Sequence, residues 1–489
     1  MNPTIIEPLP YGLTAVEAFQ SLSHWPNCIF FDSARTGDAH GMTSYIAADP
    51  FEWFCVPATR HHDVQSTFAA SLSNVSTHEA EDNTLASLAE RLEYFSQPTL
   101  AGLPSFQGGA AGLISYDYCH RLEHLPHACH NEFGVPDFAI GMYDWVLAFD
   151  HLAGESWIIS TGFPEMDLRR RRVRAAERLK RVMAEIENSG PESATRCDRS
   201  SNGETIVEPE IQTPILGIPG LTSNFTRDHY LRAVEKGMDY INAGDLFQVN
   251  LSQRLLFPAN RSPQFLYQRL RQCNSAPFAG YFDIGDFVVL SASPERFLRV
   301  RGDRVETRPI KGARHRRLNP EADLFTRDAL RESEKDSAEN IMIVDLLRND
   351  LSKVCEPSSI RVPQLCEVEG FEYVLHLVSE VEGRLRPENG PIDVLAAAFP
   401  GGSITGAPKV RACEVIAELE PSVRGPYCGC LAYIGFDRSM DTSILIRTMT
   451  YGKGWIQMPV GGGIVAQSNP HEEYEETWDK AEGMLRALF

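Results

Sequence analysis

Short apolar and β-branched runs, from Cys28 to Phe31, Ser44 to Ala48, Phe138 to Phe149 and Trp157 to Ser160, alternate with turn residues. Such runs bounded by turns predict antiparallel strands and a sheet-rich first third. From residue 165 to 188 the period becomes helical, with Leu179, Val182, Met183 and Ile186 on one face and Arg169 to Arg172 near the start as a solvated face. Residues 189–223 are rich in Gly, Pro, Ser, Thr and Glu and carry no sustained apolar period. They predict a mobile linker between an N-terminal unit, 1–188, and a second unit, 224–489. In the second unit, Thr226 to Ala243 predicts a helix with Thr226 as N-cap and Gly244 as its stop, and Leu246 to Phe257 a strand. Strands and helices then mix without a strict βαβ rhythm, which predicts an antiparallel or mixed sheet flanked by helices.

Two further helices carry acid. In the helix predicted over 334–350, Ile341, Val344, Leu347 and Leu351 mark the buried side, while Asp336 and Glu339, three apart, share another face. Residues 471–480 repeat the device: Glu473 and Glu476 are three apart, and Lys480 lies one turn beyond Glu476. Carboxylate pairs on two helices can hold one Mg²⁺, with water and substrate oxygens completing its octahedron. Spacing alone favours the plainer reading of hydrated surface patches.

Composition narrows the partners. The 489 residues suffice for one large core or for two to three domains. Lys and Arg total 46 against 66 Asp and Glu, and the resulting charge of −20 repels phosphate backbones and anionic membrane surfaces. Nucleic acid and membrane are excluded as expected partners, and a small anionic substrate would need a local cluster of cations, backbone N–H groups or a metal ion. The stretch MNPTIIEPLP lacks a basic region followed by a long apolar one, and no run of about 18 apolar residues occurs. Eleven cysteines, with Cys28, Cys55, Cys273, Cys355, Cys366 and Cys413 apart in mostly apolar surroundings, fit reduced thiols. The expectation is a soluble, cytoplasmic protein.

Three motifs draw attention and fail. Residues 461–466, GGGIVA, have dinucleotide-fold spacing, but only 26 residues follow Gly463 and Ser468, Asn469 and Pro470 break the chain before the next helix. The glycines can still present N–H groups to a carboxylate. Residues 119–130 gather four histidines and two cysteines at irregular spacing, which reads as a polar surface loop rather than a metal site. Cys428 and Cys430 have no second pair, and neither lies in the glycine-rich elbow of a glutamine-hydrolysing cysteine site. Any ammonia consumed here is expected from another chain.

Read together, SPE at 293–295, TRPIKG at 307–312, AENIMIVDLLRNDL at 338–351, HLVS at 376–379, GGSITGAPK at 401–409, the segment from Tyr433 to Thr442, Ile446 with Arg447, and the acidic stretch 473–477 closely resemble the chorismate-utilising enzymes. The resemblance covers residues 225–489 in the family's order, and reaches the first unit more loosely through SYIAADP at 44–50 and GGAAGLISYD at 108–117. It implies an α+β fold: an anthranilate synthase component I-like sandwich of two large, mainly antiparallel sheets with helices outside. It implies Mg²⁺ on Glu339 and Glu476, supported by Asp336 and Glu473. Substrate would meet Gly312, Ala313, Ser403, Tyr433, Arg447, the N–H groups of Gly462 and Gly463, and Lys480. An amino-acid pocket near Ser33 and Tyr45 is a further implication, although Ser44 stands where a basic residue is associated with that pocket.

Lys311 selects the branch. Most relatives acting on chorismate place a small residue there, whereas PIKG resembles the aminodeoxychorismate synthase branch, in which the lysine attacks C2 of the chorismate ring as the C4 hydroxyl leaves. Ammonia, supplied by a glutamine amidotransferase subunit, then adds at C4. An amine nucleophile needs desolvation or nearby positive charge to lose its proton near neutrality, and hydroxide needs an acid to leave. The resemblance assigns that acid to Glu295, which must be protonated and hence raised in pKa, and places His376 near the ring. Ala313 replaces the family's usual threonine and removes a hydrogen bond of about 0.5–1.5 kcal/mol. The alternatives are anthranilate synthase component I, and an amino-acid-binding regulatory subunit without turnover.

Overall fold

Thr226 accepts the His229 amide at 3.1 Å and caps the helix Arg227–Asn242, and Gly244, at φ +86°, turns the chain out of it. The strand Gln248–Pro258 follows. These are elements of a computed structural model that describes residues 3–34, 42–58, 76–79, 84–188, 206–316, 319–370 and 374–489.

Among the described residues the strands form two large sheets. The first runs, neighbour to neighbour, through Ile5–Pro8, Glu155–Ser160, Trp145–Asp150, Thr43–Ala47, Ile29–Asp32, Phe278–Asp283, Phe287–Ser293, Thr448–Gly452, Trp455–Ile464 and Gln248–Pro258, ending on the short strands Thr222–Ser223 and Thr213–Pro214. The second runs through Ile310–His315, Val374–Arg384, Arg304–Thr307, Arg296–Arg301, Met440–Ile444, Cys430–Gly435, Gly109–Ile114, Phe138–Tyr143, Glu52–Val56 and Ser76–Glu79, with Arg361–Gly370 also on Val374–Arg384. Glu52–Val56 and Ser76–Glu79 are parallel, and the remaining pairs are antiparallel.

Alternation sorts side chains to the two faces of each sheet. Along Trp145–Asp150, Val146 and Ala148 join Ile29, Phe282 and Val289 against Trp53, Leu113 and Leu431 of the second sheet. Trp145, Leu147 and Phe149 face the other way, into a core with Phe19, Leu179, Leu266 and Met484 from helices. The outcome is a two-sheet sandwich with helices outside, an α+β fold as the resemblance implied.

Some sequence expectations shift. Residues 189–205 of the expected linker lie outside the described residues, and the end of the remainder pairs onto Gln248–Pro258 through Thr222–Ser223. Both sheets draw strands from either side of that segment. In the helix Leu168–Asn188, Arg171 is buried, against the expectation of a solvated face: its Nε donates to the Thr161 carbonyl at 2.8 Å and its guanidinium lies 3.5 Å over the Phe163 ring. In the helix Glu334–Ser352 the buried stripe is Asn340, Ile343, Val344, Leu347 and Leu351, while Ile341 is exposed.

Candidate active site

Lys311 lies on the edge strand Ile310–His315, opposite Leu377 of Val374–Arg384. The register slips between Lys311 and Ala313, where Gly312 takes φ +64°. A glycine suits this bulge, because a Cβ there would also sit 3.0 Å from the Asp336 carboxyl carbon and from Leu330. The slip turns Lys311 inward. Its Nζ donates to the Ser403 carbonyl at 3.4 Å, and the Ser403 hydroxyl donates to Glu295 Oε1 at 2.7 Å. His376 Nδ1 donates to the Gly312 carbonyl at 3.2 Å, on the strand that carries Lys311.

Burial acts on both Glu295 and Lys311 in the direction that neutralises them. It pushes the Glu295 carboxyl up to about 7, partly offset by the Ser403 hydrogen bond, the Lys311 charge and the Ile310 amide. It draws the Lys311 ammonium below the usual lysine range; Glu339, Glu295 and Glu476 oppose that and Lys480 adds to it.

The glycines at 461–463 belong to the strand Trp455–Ile464 of the other sheet, opposite Asn250 to Ser252. They make no dinucleotide turn but permit close approach. A Cβ on Gly463 would lie 2.7 Å from Gln248 Nε2 and 3.5 Å from Lys311 Nζ. One on Gly462 would lie 3.2 Å from Glu473 Oε2 and 3.6 Å from both Glu476 Oε1 and Lys480 Nζ. The cleft therefore opens between the two sheets, against the helix Pro470–Leu488.

The acidic residues have distinct settings. Glu476 holds Lys480 at 2.5 Å; burial raises its carboxyl, but Lys480, Lys335 and Lys311 outweigh burial and leave it below the usual range. Glu473 is buried and accepts from Ser468 Oγ at 2.6 Å through Oε1, while Oε2 is buried without a hydrogen-bond partner. Burial also raises Glu339, which feels the charges of Lys311, Lys335, Asp336 and Glu476. Asp336 is paired with Arg314 at 2.8 Å. Among the described residues no group of three or more His, Cys, Asp or Glu side chains is gathered closely enough to hold a metal ion by itself. Arg447, at φ +53°, donates from Nη1 to the Lys480 carbonyl at 2.8 Å, and burial lowers its pKa.

Tyr433 is elsewhere. Its hydroxyl bonds Ser105 Oγ at 3.1 Å, which bonds Tyr45 at 3.2 Å, in a separate cavity of about 480 Å³ that also contains Ser33, Phe278, Arg296 and Asp441. The tyrosine near enough to act on Arg447 is Tyr427, which burial keeps neutral by raising its pKa well above the usual range. Nothing in its sequence setting marks it. Ser33 and Tyr45 do share the second cavity; outside its lining, Ser44 Oγ accepts the Ser33 amide at 3.0 Å and bonds His151 at 2.8 Å. Glu295 and Arg296, successive residues, serve different cavities. Sequence reading also missed Gln248, fully buried beside Gly463 with neither carboxamide atom bonded; its strand also holds Asn250, Ser252, Gln253 and Arg254, so nothing in the sequence singles it out.

This arrangement of lysine, buried carboxyl, paired acidic helices and a glycine strand sits in a chain that belongs to the chorismate binding enzyme family, whose pattern matches residues 42–486. Within that family the chain is 37% identical over 489 residues to aminodeoxychorismate synthase component 1 of Salmonella typhimurium, covering 100% of this chain and 99% of that protein. It is 40% identical over 386 residues to anthranilate synthase component 1 of Thermus thermophilus, covering 79% and 78%. The crystal structure of anthranilate synthase component I from Streptococcus pneumoniae superposes with a TM-score of 0.73 at 29% identity, covering 92% of this chain and 93% of that one.

Proposed function

We propose that this protein aminates chorismate at C4, as an aminodeoxychorismate synthase component 1, with Lys311 as a covalent nucleophile. The observation that carries the reading is the junction of Lys311 and Glu295 through Ser403. In the first step a bond forms between Lys311 Nζ and C2, the ring double bond shifts, and the C4–O bond breaks as Glu295 gives its proton to the departing hydroxyl. In the second, ammonia bonds to C4, the double bond returns, and the C2–N bond to Lys311 breaks. Lys480, Arg447 and the N–H groups of Gly462 and Gly463 provide the positive field for a dianionic substrate in a protein of charge −20. Ammonia comes from a glutamine amidotransferase subunit, consistent with relatives named as a first component.

The orphaned Glu473 Oε2, beside Glu476 Oε1 and within the field of Glu339, fits a hard divalent cation held by oxygen. Glu339 and Glu476 would hold Mg²⁺, supported by Glu473 and by Asp336, which is itself paired with Arg314. When bound, it supplies charge neutralisation for a ring carboxylate.

The test is product identification with chorismate, Mg²⁺ and an ammonium salt. The expected product is 4-amino-4-deoxychorismate, which a separate lyase converts to 4-aminobenzoate. Release of 2-aminobenzoate would establish the second reading, anthranilate synthase, which relatives of similar identity support. The cavity with Ser33 and Tyr45 is proposed as the amino-acid pocket.

A further inference from the structure

Ser403 lies in the short turn Gly402–Ile404, wedged between two structural walls. A Cβ on Gly402 would meet Leu346 of Glu334–Ser352 at 2.6 Å, and one on Gly401 would meet Ile444 of Met440–Ile444 at 2.7 Å. Thr405 closes the turn, its hydroxyl donating to the Gly401 carbonyl at 2.9 Å and its amide to that of Gly402 at 3.3 Å. The Ser403 side chain is not used to hold the turn. Its hydroxyl proton is directed at Glu295 Oε1 at 2.7 Å, while its carbonyl receives Lys311 Nζ at 3.4 Å. One residue of a held turn thus touches both Lys311 and Glu295, the first through its backbone carbonyl and the second through its hydroxyl.

We infer that Ser403 is a positioning residue that sets the distance between the Lys311 amine and the Glu295 carboxyl to the span between C2 and C4 of a single ring. The inference rests on the function proposed above. Two consequences follow from its geometry. With Oε1 already accepting from Ser403, Glu295 carries its transferable proton on Oε2, so the serine decides which oxygen faces the leaving group. And because the turn is closed by Thr405, removing the Ser403 hydroxyl releases Glu295 without undoing the loop. Ser403 is then a support for the acid instead of the direct substrate contact that the resemblance implied.

Ammonium-dependent turnover of the full chain, read by 4-amino product, tests this. The wild-type measurement comes first: absence of product there defeats the functional reading itself, independently of Ser403. With an active wild type, Ser403→Ala is expected to lower kcat by about 10- to 100-fold, the scale of one hydrogen bond to a charged group. The KM for chorismate should stay within about twofold, as for a group whose effect is made in the transition state. Ser403→Thr, which keeps the hydroxyl, should recover most of kcat. In a Glu295→Gln background, Ser403→Ala should cost no more than about twofold, because the serine acts through the acid. A raised KM with unchanged kcat, or an undiminished loss in the Glu295→Gln background, would overturn the inference. If Ser403→Ala does not fold, Ser403→Cys, a weaker donor of similar size, carries the same comparison.

Discussion

Lys311 and Glu295 are legible in sequence as members of known motifs, yet their chemistry is set by burial. With Lys311→Ala, ammonia is expected to attack C2 in place of C4, so chromatography should show 2-amino in place of 4-amino product with chorismate binding retained. Unchanged 4-amino product at the wild-type rate would end the covalent step. Glu295→Gln should lower turnover by about 10²–10⁴-fold, as for loss of a general acid. It also has a stability signature. The Glu295 carboxyl is raised from 4.5 to about 7, so its contribution to folding is full below pH 4.5 and is lost as pH rises through 7. The glutamine variant should gain stability on wild type between pH 5 and pH 8, by up to about 3 kcal/mol, in denaturant titrations. Tyr433 shows where residue-level reading failed. The motif located the strand Cys430–Gly435, but which of the two cavities a tyrosine near it enters depends on the face it leaves, and Tyr433 leaves toward Tyr45.

The glycine strand and the acidic helices make sense only as elements. Gly461, Gly462 and Gly463 look alike in sequence, yet each faces a different neighbour. A Cβ at Gly461 would lie 2.4 Å from the Leu251 carbonyl, so Gly461→Ala should destabilise the sheet by about 1–3 kcal/mol, visible as a lower Tm. At Gly463 the methyl meets the Gln248 side chain and Lys311 Nζ, so Gly463→Ala should impair turnover more than it lowers Tm. Equal Tm losses would show that both glycines serve only the backbone. The helix periods were legible: Thr226 caps its helix and Leu179, Val182 and Ile186 are buried as read. Ile341 and Arg171 were misplaced because periodicity ranks residues by polarity, whereas the phase of each helix follows its neighbours. Asn340 is inside, donating to the Leu377 carbonyl at 3.3 Å, and a polar residue gives no apolar signal.

At the scale of the whole molecule, both sheets interleave strands from before and after residues 189–223. The N-terminal strand Gly109–Ile114 pairs with Cys430–Gly435 over six residues, and Ile29–Asp32 pairs with Phe278–Asp283. Cleavage at a protease site engineered into 189–205 should therefore leave two fragments that co-elute as one species and unfold in one calorimetric transition; separation on a sizing column would show two independent units. Local pattern determined the element types, the family and Lys311 and Glu295 as the candidate nucleophile and acid, because period, capping and motif order are properties of adjacent residues. Only the tertiary structure brought the Lys311 edge strand of one sheet to the Gly463 strand of the other, set Ser403 between amine and acid, and divided Glu295 from Arg296 into separate cavities. Those choices depend on which faces of two sheets meet, and no stretch of the chain contains that meeting by itself.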